Sequence, residues 1–511
     1  MGRSLTLVAV DDHLEHFTED ANNPFEAAGF RFRAERVEDR LFHHETRIGK
    51  KDTTPVDFAA EVQYALGSGT RARSYLINRE NRLFESALTW YSQRGVWDLS
   101  PGFLANPHSD RPITGACLFC HANQVEPALD TVNRFRSPIF RGEPIGCERC
   151  HGPGQLHVAL RDTNQKVDGV DESIVNPRHL ELSLREAVCE QCHLQGAVRV
   201  LPRGREVFDY RPGLPLDLFW SIYVSPLDDN ESSAAVSQVE QMYASRCYLG
   251  SEGKLGCVTC HDPHETPLPE RKTEFYRQRC LACHESKGCS LAMEARIRKL
   301  DDCASCHMPR SPVSDVAHTA ITNHLIPRRA TSDTPSTAKE NRSRGSPLEL
   351  HLFREGVRKV NDRDAQRDLA IAQMRLAETG HLDRDQRSQL SQATLPILEA
   401  AVERWSDDIA AWEAMGNALS ALNRKEDALA AFNSVLTRFP ERESALMEAA
   451  LLAGQVGRRD LAVDLWRRGL EVNPFSSRAH FELAKLLLLR DDISAAILEA
   501  QETIRLHPFH F

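Results

Sequence analysis

Hydrophobic and polar positions follow three different patterns along the chain. Before residue 106, short segments alternate between apolar and polar residues. Segments 30–37 and 40–48 form one pair, 73–77 and 82–86 form another, and a short polar stretch separates the members of each pair. Alternation over this length with a polar turn between predicts two β-hairpins.

The pattern changes after the hairpins. Residues 106–329 contain only short apolar runs, and frequent prolines such as Pro138, Pro177 and Pro263 exclude long helices. A segment of this kind cannot fill a core with its own side chains. Residues 330–348 are polar and indicate a linker.

The last pattern is an internal repeat. Pro440, Pro474 and Pro508 recur at one constant interval, and Ala428, Ala462 and Ala496 keep the same interval. A period of about 34 residues, with small residues where helices touch, is that of tetratricopeptide repeats. The predicted helix pairs are 409–422 with 425–438, 443–456 with 459–472 and 477–490 with 493–506, preceded by a capping pair, 364–379 with 388–404. Such arrays usually bind a protein or peptide in a concave groove, although a structural or dimerisation arm is the alternative.

Composition narrows the classes of function. The chain has 511 residues, enough for several domains, and its net charge of -10 does not suggest a nucleic-acid partner. No run of about 18 apolar residues predicts a transmembrane segment. The 14 cysteines are unevenly placed, because all of them lie between Cys117 and Cys306.

Twelve of those cysteines belong to six copies of Cys-x-x-Cys-His. The copies are Cys117, Cys120 and His121; Cys147, Cys150 and His151; Cys189, Cys192 and His193; Cys257, Cys260 and His261; Cys280, Cys283 and His284; and Cys303, Cys306 and His307. This spacing is the attachment signature of c-type haem, in which both thiols bond the porphyrin and the adjacent imidazole binds the iron. A zinc ribbon does not require His after the second Cys, and no βαβ pattern supports a thioredoxin-like centre. We therefore expect six covalent haem c groups.

An electron-transfer haem needs a second strong axial ligand, often another His. Ten histidines outside the motifs precede residue 330, more than six irons require. Position favours four of them as distal ligands, and two more follow as weaker candidates. The four are His157, His264, His318 and His324, and the two are His108 and His43. Pro263 turns His264 away from His261, so His264 is expected to reach a neighbouring haem.

The short spacing between motifs indicates how the haems would act together. The first two motifs start at Cys117 and Cys147, and the last three start at Cys257, Cys280 and Cys303. Such short connections place porphyrins close together and favour electron transfer along a series of haems. Outside the motifs, Cys247 and Cys289 could form a disulfide or stay as two buried thiols.

Segments 257–264, 147–154 and 303–309 resemble the multihaem cytochromes related to cytochrome c554, a superfamily that includes hydroxylamine oxidoreductases and pentahaem nitrite reductases. Fusion to a C-terminal repeat array is similar to bacterial tetratricopeptide multihaem cytochromes. The resemblance implies an extracytoplasmic, periplasmic or otherwise exported protein with bis-histidine haems. Relatives carry a further motif and a signal peptide before a segment similar to residues 1–5, so we expect a truncated N-terminus and a seventh haem in the full-length protein.

These observations predict a mainly α fold: a haem-packed helix and coil domain with small N-terminal β-hairpins, followed by an α-solenoid. The predicted domains are 1–105, the N-terminal part of the cytochrome region; 106–329, the multihaem domain; the linker; and 364–511, the repeats. The predicted function is electron transfer, with redox proteins as partners and a protein ligand on the repeats. The alternative is an oxidoreductase acting on a small nitrogen or sulfur compound at a five-coordinate haem.

Overall fold

The protein was analysed as a computed structural model that describes residues 4–7, 14–48, 56–142, 144–163, 169–225, 238–285, 288–309, 322–328, 349–354, 362–379 and 382–509. The chain divides into two compact units, which are described separately. The first unit comprises residues 1–146, 200–209 and 358–511, and the second comprises 147–199 and 210–357. The linker prediction, 330–348, lies outside the described residues.

The first unit begins with antiparallel β-structure. Its strands are β1 (Leu5–Leu7), β2 (Phe25–Ala27), β3 (Phe30–Val37), β4 (Arg40–Arg47), β5 (Asp57–Val62), β6 (Tyr64–Leu66), β7 (Arg73–Arg79), β8 (Arg82–Tyr91), β9 (Val96–Leu99), β10 (Arg111–Pro112), β11 (Val125–Pro127) and β12 (Phe135–Phe140). One sheet has the order β1-β6-β7-β8-β10 with β9 also on β8, a second has the order β2-β3-β4-β5, and β11 pairs with β12. Both predicted hairpins are confirmed, as β3–β4 and β7–β8, but they are parts of larger sheets.

Alternating side chains of these strands build the core of the β-region. Phe32, Leu41, Trp90 and Trp97 are at most 1% exposed and belong to one apolar cluster. Burial of large aromatic side chains on this scale stabilises a domain strongly. The β-region therefore has a protein core of its own.

The described residues form eighteen α-helices. They are α1 (Gly115–His121), α2 (Glu148–His151), α3 (Gln155–Asp162), α4 (Leu182–His193), α5 (Gln238–Ala244), α6 (Arg246–Gly250), α7 (Cys257–Cys260), α8 (Lys272–His284), α9 (Met293–Ile297), α10 (Cys303–His307), α11 (Asp362–Glu378), α12 (Arg384–Arg404), α13 (Ile409–Ala421), α14 (Lys425–Arg438), α15 (Glu443–Gln455), α16 (Arg459–Val472), α17 (Ser477–Leu488) and α18 (Ile493–Leu506). None of these helices is both long and apolar enough to cross a membrane.

Helices α11–α18 form the C-terminal repeat array of the first unit. The predicted pairs are confirmed, and the last three begin at the predicted residues and end within two residues of the prediction. Gly416 shows why the repeat needs a small residue, because a Cβ there would lie 2.6 Å from the Phe432 ring. The side chains that cap helices by accepting a backbone N–H bond are those of Asp383, Asp408, Ser476 and Asp492.

The array contacts the β-region through its later repeats. His108 Nε2 lies 2.9 Å from the carbonyl oxygen of Leu506, at the end of α18. The Glu443 N–H donates to Asp130 O at 2.8 Å, and the rings of Phe30 and Phe509 pack edge to face. The β-region and the repeats are thus parts of one unit.

The second unit contains α2–α10 and three short strands, β13 (Val198–Val200), β14 (Ser221–Val224) and β15 (His351–Leu352), with β14 in the middle of their sheet. From the sequence we also predict short helices leading into motifs at 185–189, 236–246 and 274–279. Within the described residues, which begin again at 238, α4, α5, α6 and α8 confirm them. Seven of the nine helices described here, α2, α3 and α6–α10, bury no side chain.

Candidate haem-binding sites

Five of the six motifs end a helix at their histidine, and in the fourth motif the helix ends one residue before it. A helical turn places the two cysteines of a motif three residues apart on one face and the histidine one turn beyond the first cysteine. The backbone N–H groups of His151 and His261 donate to the carbonyls of Cys147 and Cys257 at 2.9 Å and close this turn. Each motif therefore presents two thiols and an imidazole on the same side.

None of the twelve motif cysteines is fully buried. Three of them are exposed: Cys117, Cys147 and Cys283. The other nine are half-buried: Cys120, Cys150, Cys189, Cys192, Cys257, Cys260, Cys280, Cys303 and Cys306. Attachment to a porphyrin requires a thiol that the porphyrin edge can reach, and this degree of exposure permits it. The number of attached haems stays a prediction.

The first motif is anchored to the β-region. Its two intervening residues, Leu118 and Phe119, are fully buried, and the Phe119 ring packs edge to face against Phe208. Cys117 remains exposed, with its sulfur 3.5 Å from the Thr114 hydroxyl. The apolar pair inside this motif holds α1 in place and leaves the thiol outside the core.

The third motif, at Cys189 and Cys192, is tied to the second through its intervening residues. Gln191 donates from Nε2 to the carbonyl of Arg149 at 2.8 Å, and each residue lies between the two cysteines of its own motif. Beside Gln191, Glu190 is buried with its carboxylate 2.9 Å from the Tyr243 hydroxyl and paired with Arg354. Burial raises the pKa of Glu190 to about 7.

A second bond ties the third motif to the fourth. Glu186, on α4, accepts the backbone N–H of Cys257 at 2.7 Å. Gly256 makes room for this carboxylate, because a Cβ there would clash with Glu186 Oε1. The start of the fourth motif is thus fixed by a buried acid from the helix that carries the third.

In the second unit, the thiols of each motif lie near thiols of the next motif along the sequence. Burial and the neighbouring Cys189 raise the pKa of Cys150. A hydrogen bond with Cys189, followed by burial, raises the pKa of Cys257. Burial raises the pKa of Cys280 to about 11, with contributions from Cys303 and Cys260. Motifs two to six therefore lie next to one another in sequence order.

Two distal candidates face motif histidines. The rings of His151 and His264 are nearly parallel, 9° apart, with centroids 5.9 Å apart. The ring centroids of His261 and His324 are 6.4 Å apart, and their planes differ by 28°. Imidazole nitrogens bind first-row metals at about 2 Å, so two rings on opposite sides of one ion have centroids roughly 6 Å apart. The centroid separation of both pairs is close to that expected for two imidazoles on one iron.

Hydrogen bonds also orient these rings. Nδ1 of His151, His307 and His324 lies 2.8, 2.9 and 2.8 Å from the carbonyls of Val175, Pro327 and Thr322. A bond at Nδ1 fixes the tautomer and leaves Nε2 for a metal. Burial lowers the pKa of His261 and of His324, which favours the neutral imidazole that binds metals.

The other distal candidates have different surroundings. His157 Nδ1 lies 2.9 Å from Asp171, which also binds Arg161. His43 is buried in the β-region with Nδ1 2.6 Å from the Ser86 hydroxyl, and burial lowers the pKa of His43 to about 3. Both ring nitrogens of His108 are engaged, one by Glu45 at 2.7 Å and the other by Leu506 O at 2.9 Å.

His318 lies outside the described residues. Cys247 and Cys289 are free thiols in the structure. Cys247 neighbours Cys283 and Cys260, whereas Cys289 neighbours Arg296. The disulfide between Cys247 and Cys289 stays a prediction.

Sequence reasoning missed Glu186 and Gln191, because neither residue type nor local spacing signals a bond to a distant backbone group. Glu190 is similar, since its burial depends on Arg354 and Tyr243, far away in the chain. Only the position of Glu190 and Gln191 inside a motif could have drawn attention to them.

Two families of known proteins match parts of the chain. Residues 251–288 match the family of the doubled CXXCH motif, and residues 447–510 match a tetratricopeptide repeat family. The matched motif implies covalently bound haem c, and the repeats indicate protein binding. No curated protein sequence shows significant similarity to the chain.

Solved structures with detectable similarity include MamA from Desulfovibrio magneticus RS-1, at 14% identity over 29% of this chain and 92% of that one, with a TM-score of 0.23. They also include MamA AMB-1, at 16% identity over 29% of this chain and 94% of that one, with a TM-score of 0.23.

Proposed function

We propose that this chain is a multihaem c-type cytochrome that passes electrons along six covalently attached haems. The observation that carries the proposal is the pairing of His151 with His264 and of His261 with His324, because each pair joins a motif histidine to a histidine from another part of the chain. Haem c supplies a reversible one-electron couple at its iron.

In this proposal the cysteines and the histidines have different roles. The motif cysteines would hold the porphyrins, and each motif histidine would bind one iron. His264 and His324 would be the second histidine ligands of the irons at the second and fourth motifs. Because His264 follows His261 closely in sequence, the fourth motif would hold its own haem and ligate that of the second. One short segment would thereby connect two haems.

The surroundings of the motifs support a haem-filled interior. Leu156, Ile297 and Leu300 are 70%, 62% and 79% exposed in the second unit, and most of its described helices bury no side chain. Six porphyrins would cover such surface. The proposal includes an extracytoplasmic location, a relation to the cytochrome c554 superfamily, redox proteins as electron donor and acceptor, and a docking role for the repeats.

Electron paramagnetic resonance of the holoprotein, matured by a cytochrome c assembly system, tests the proposal. We expect low-spin ferric signals in the native protein. His264→Ala and His324→Ala should each convert one haem to a high-spin form, whereas His179→Ala, at an exposed histidine of the same unit, should leave the spectrum unchanged. A native high-spin signal that shifts with nitrite or hydroxylamine would instead identify a substrate-converting oxidoreductase.

Mass measurement checks the haem count. The native chain should carry six haems, and Cys117→Ala combined with Cys120→Ala should remove one. Cys189→Ala combined with Cys192→Ala should likewise remove the haem of the third motif. Retention of all six in either variant would refute attachment at the motif that was changed.

A further inference from the structure

The contact between the β-region and the end of α18 contains three side chains of metal-binding types. His108 and Asp110 come just before β10, and His507 follows α18. One ligand atom of each side chain lies within 4.8 Å of those of the other two. The described part of the chain brings no other three histidine, cysteine, aspartate or glutamate side chains together in this way.

The two imidazole rings are arranged like neighbouring ligands of one ion. The centroids of His108 and His507 are 4.1 Å apart, and the ring planes differ by 40°. An imidazole bound through nitrogen at about 2 Å has its centroid roughly 3.2 Å from the metal, so two adjacent ligands have centroids about 4.5–5.2 Å apart. An ion would therefore need to separate the two rings by only about 0.5 Å.

Glu45 holds His108 in the orientation that a metal ligand needs. Its carboxylate lies 2.7 Å from His108 Nδ1, and both side chains are 1% exposed. A carboxylate that accepts the N–H at Nδ1 leaves Nε2 for the metal and makes it more basic, as is usual for histidine ligands. The rings of Phe58 and Phe509 pack edge to face against His108, so the surroundings of the ring are apolar.

The other ring nitrogen of His108 lies beside a possible fourth ligand. Its Nε2 is 2.9 Å from the carbonyl oxygen of Leu506. Because a carbonyl oxygen only accepts, a proton must lie between these two atoms when no ion is bound. Two ligand atoms about 2.1 Å from one ion and at right angles to each other are roughly 3.0 Å apart. An ion can therefore replace this proton and contact both atoms with little change in their separation.

The charges around the three side chains favour a cation. Glu45 and Asp110 are two carboxylates, and Arg79, which lies near both, is one positive charge. Arg505 is close to Arg79 but is paired with Glu502 in its own turn. With neutral imidazoles, two negative charges and one positive charge leave a single negative charge, which attracts a divalent ion.

We propose that the three side chains, together with the Leu506 carbonyl, bind one Zn²⁺ ion that connects the end of α18 to the β-region. Imidazole nitrogens suit Zn²⁺, whereas Mg²⁺ and Ca²⁺ prefer oxygen ligands. Four protein ligands complete a tetrahedral site, which makes the ion structural. A cleft whose lining includes Phe58, Arg79 and Leu506 gives the ion access from solvent.

Metal analysis and isothermal titration calorimetry of the holoprotein test the proposal. After treatment with a chelator, the protein should bind one equivalent of Zn²⁺ in addition to its haem iron, and Mg²⁺ or Ca²⁺ should not compete. Glu45→Gln should weaken Zn²⁺ binding by about 10–100-fold, because Glu45 only orients a ligand. Asp110→Asn and His507→Gln each remove a ligand and should weaken binding further.

His480 provides the matched control. Its two ring nitrogens also lie against a carboxylate and a carbonyl, at 2.6 Å from Glu499 and 3.2 Å from Pro474 O. It does not belong to a group of three ligand side chains among the described residues. His480→Gln should therefore bind Zn²⁺ like the native protein.

Hydrogen exchange at fixed pH locates the ion. Zn²⁺ should slow exchange in the last turns of α18 in the chelator-treated native protein, and this effect should be absent in Asp110→Asn. Native protein that binds no Zn²⁺, or that binds it without slower exchange in α18, overturns the proposal. Equal Zn²⁺ binding by the native protein, Asp110→Asn and His507→Gln also overturns it, because the ion would then lie elsewhere.

Discussion

Glu186 shows how one side chain can position a cofactor site without touching the cofactor. Its carboxylate is almost fully buried and accepts the N–H that begins the fourth motif. Glu186→Ala leaves that half-buried donor without its partner, and we expect a loss of about 1–3 kcal/mol in stability. Chemical denaturation of the holoprotein, followed by the haem absorbance, measures this change.

Glu148 offers a matched control for this prediction. Its carboxylate accepts the Gly154 N–H at 2.8 Å, the same kind of bond, but the side chain is exposed. Water can replace an exposed bond, so Glu148→Ala should cost less than Glu186→Ala. Equal losses in the two variants would show that the burial of Glu186 is not what makes it important.

Helix packing in the repeats depends on a few small residues. Two glycines make it possible to distinguish a steric requirement for glycine from the low helix propensity of glycine. Gly416 in α13 has no room for a Cβ against Phe432, whereas a Cβ on Gly454 in α15 would meet only Ala462, at 4.0 Å. Gly416→Ala should therefore destabilise the array by about 1–3 kcal/mol through overpacking. Gly454→Ala should stabilise it by up to about 1 kcal/mol, because alanine favours helix.

Thermal unfolding of the two variants, monitored by circular dichroism, checks these opposite signs. If both alanines shift the melting temperature in the same direction, the close contact between α13 and the Phe432 ring is not what requires glycine.

The contact between α18 and the β-region is expected to depend on pH. Burial opposes the charged form of His108, but the hydrogen bond and charge of Glu45, together with Asp110 and the Leu506 carbonyl, outweigh it and raise the pKa of His108. A raised histidine pKa stabilises the folded state fully below the ordinary value of about 6.5, and this stabilisation is lost as pH rises through the folded-state pKa. The His507 ring packs against His108 with centroids 4.1 Å apart, and Arg79 lies near Asp110 and Glu45.

Hydrogen exchange in the last turns of α18 measures this dependence. Protection should fall as pH rises above about 6.5, after correction for intrinsic exchange. His108→Gln should lower protection in acid and remove most of the pH dependence. If the pH dependence of exchange is unchanged in His108→Gln, the titrating group is Asp110 or His507 and not His108.

The elements differ in how much of them could be predicted from sequence. The repeat helices were predictable because their contacts are local and recur in every repeat. The hairpins β3–β4 and β7–β8 were predictable because each joins neighbouring segments. The pairing of β1 with β6 was not, since it joins Leu5 to Leu66 across the sequence. The motifs were evident from the residues alone, but the pairing of His324 with His261 depends on how distant segments fold together.

At the scale of the whole molecule, the two units differ in what holds them together. The first has an apolar protein core that includes Phe32, Trp90 and Trp97, and its repeats bury small and aliphatic side chains in helices such as α14 and α16. The second has short helices, most of which bury no side chain among its described residues. Isolated helices shorter than roughly 12–15 residues are marginal in water.

We therefore expect the two units to respond differently to loss of haem. In protein produced without haem attachment, hydrogen exchange should remain slow in the β-region and in α13–α16, because their cores consist of protein side chains. Residues 246–309 should exchange rapidly, since porphyrins are needed to cover their apolar surface. Cys257→Ala combined with Cys260→Ala should cause a local loss of protection from exchange, around the fourth motif and its neighbour at Glu186. The β-region should keep its protection in this variant. Slow exchange throughout 246–309 in the haem-free protein would mean that this segment folds on its own contacts and that the haems occupy a preformed scaffold.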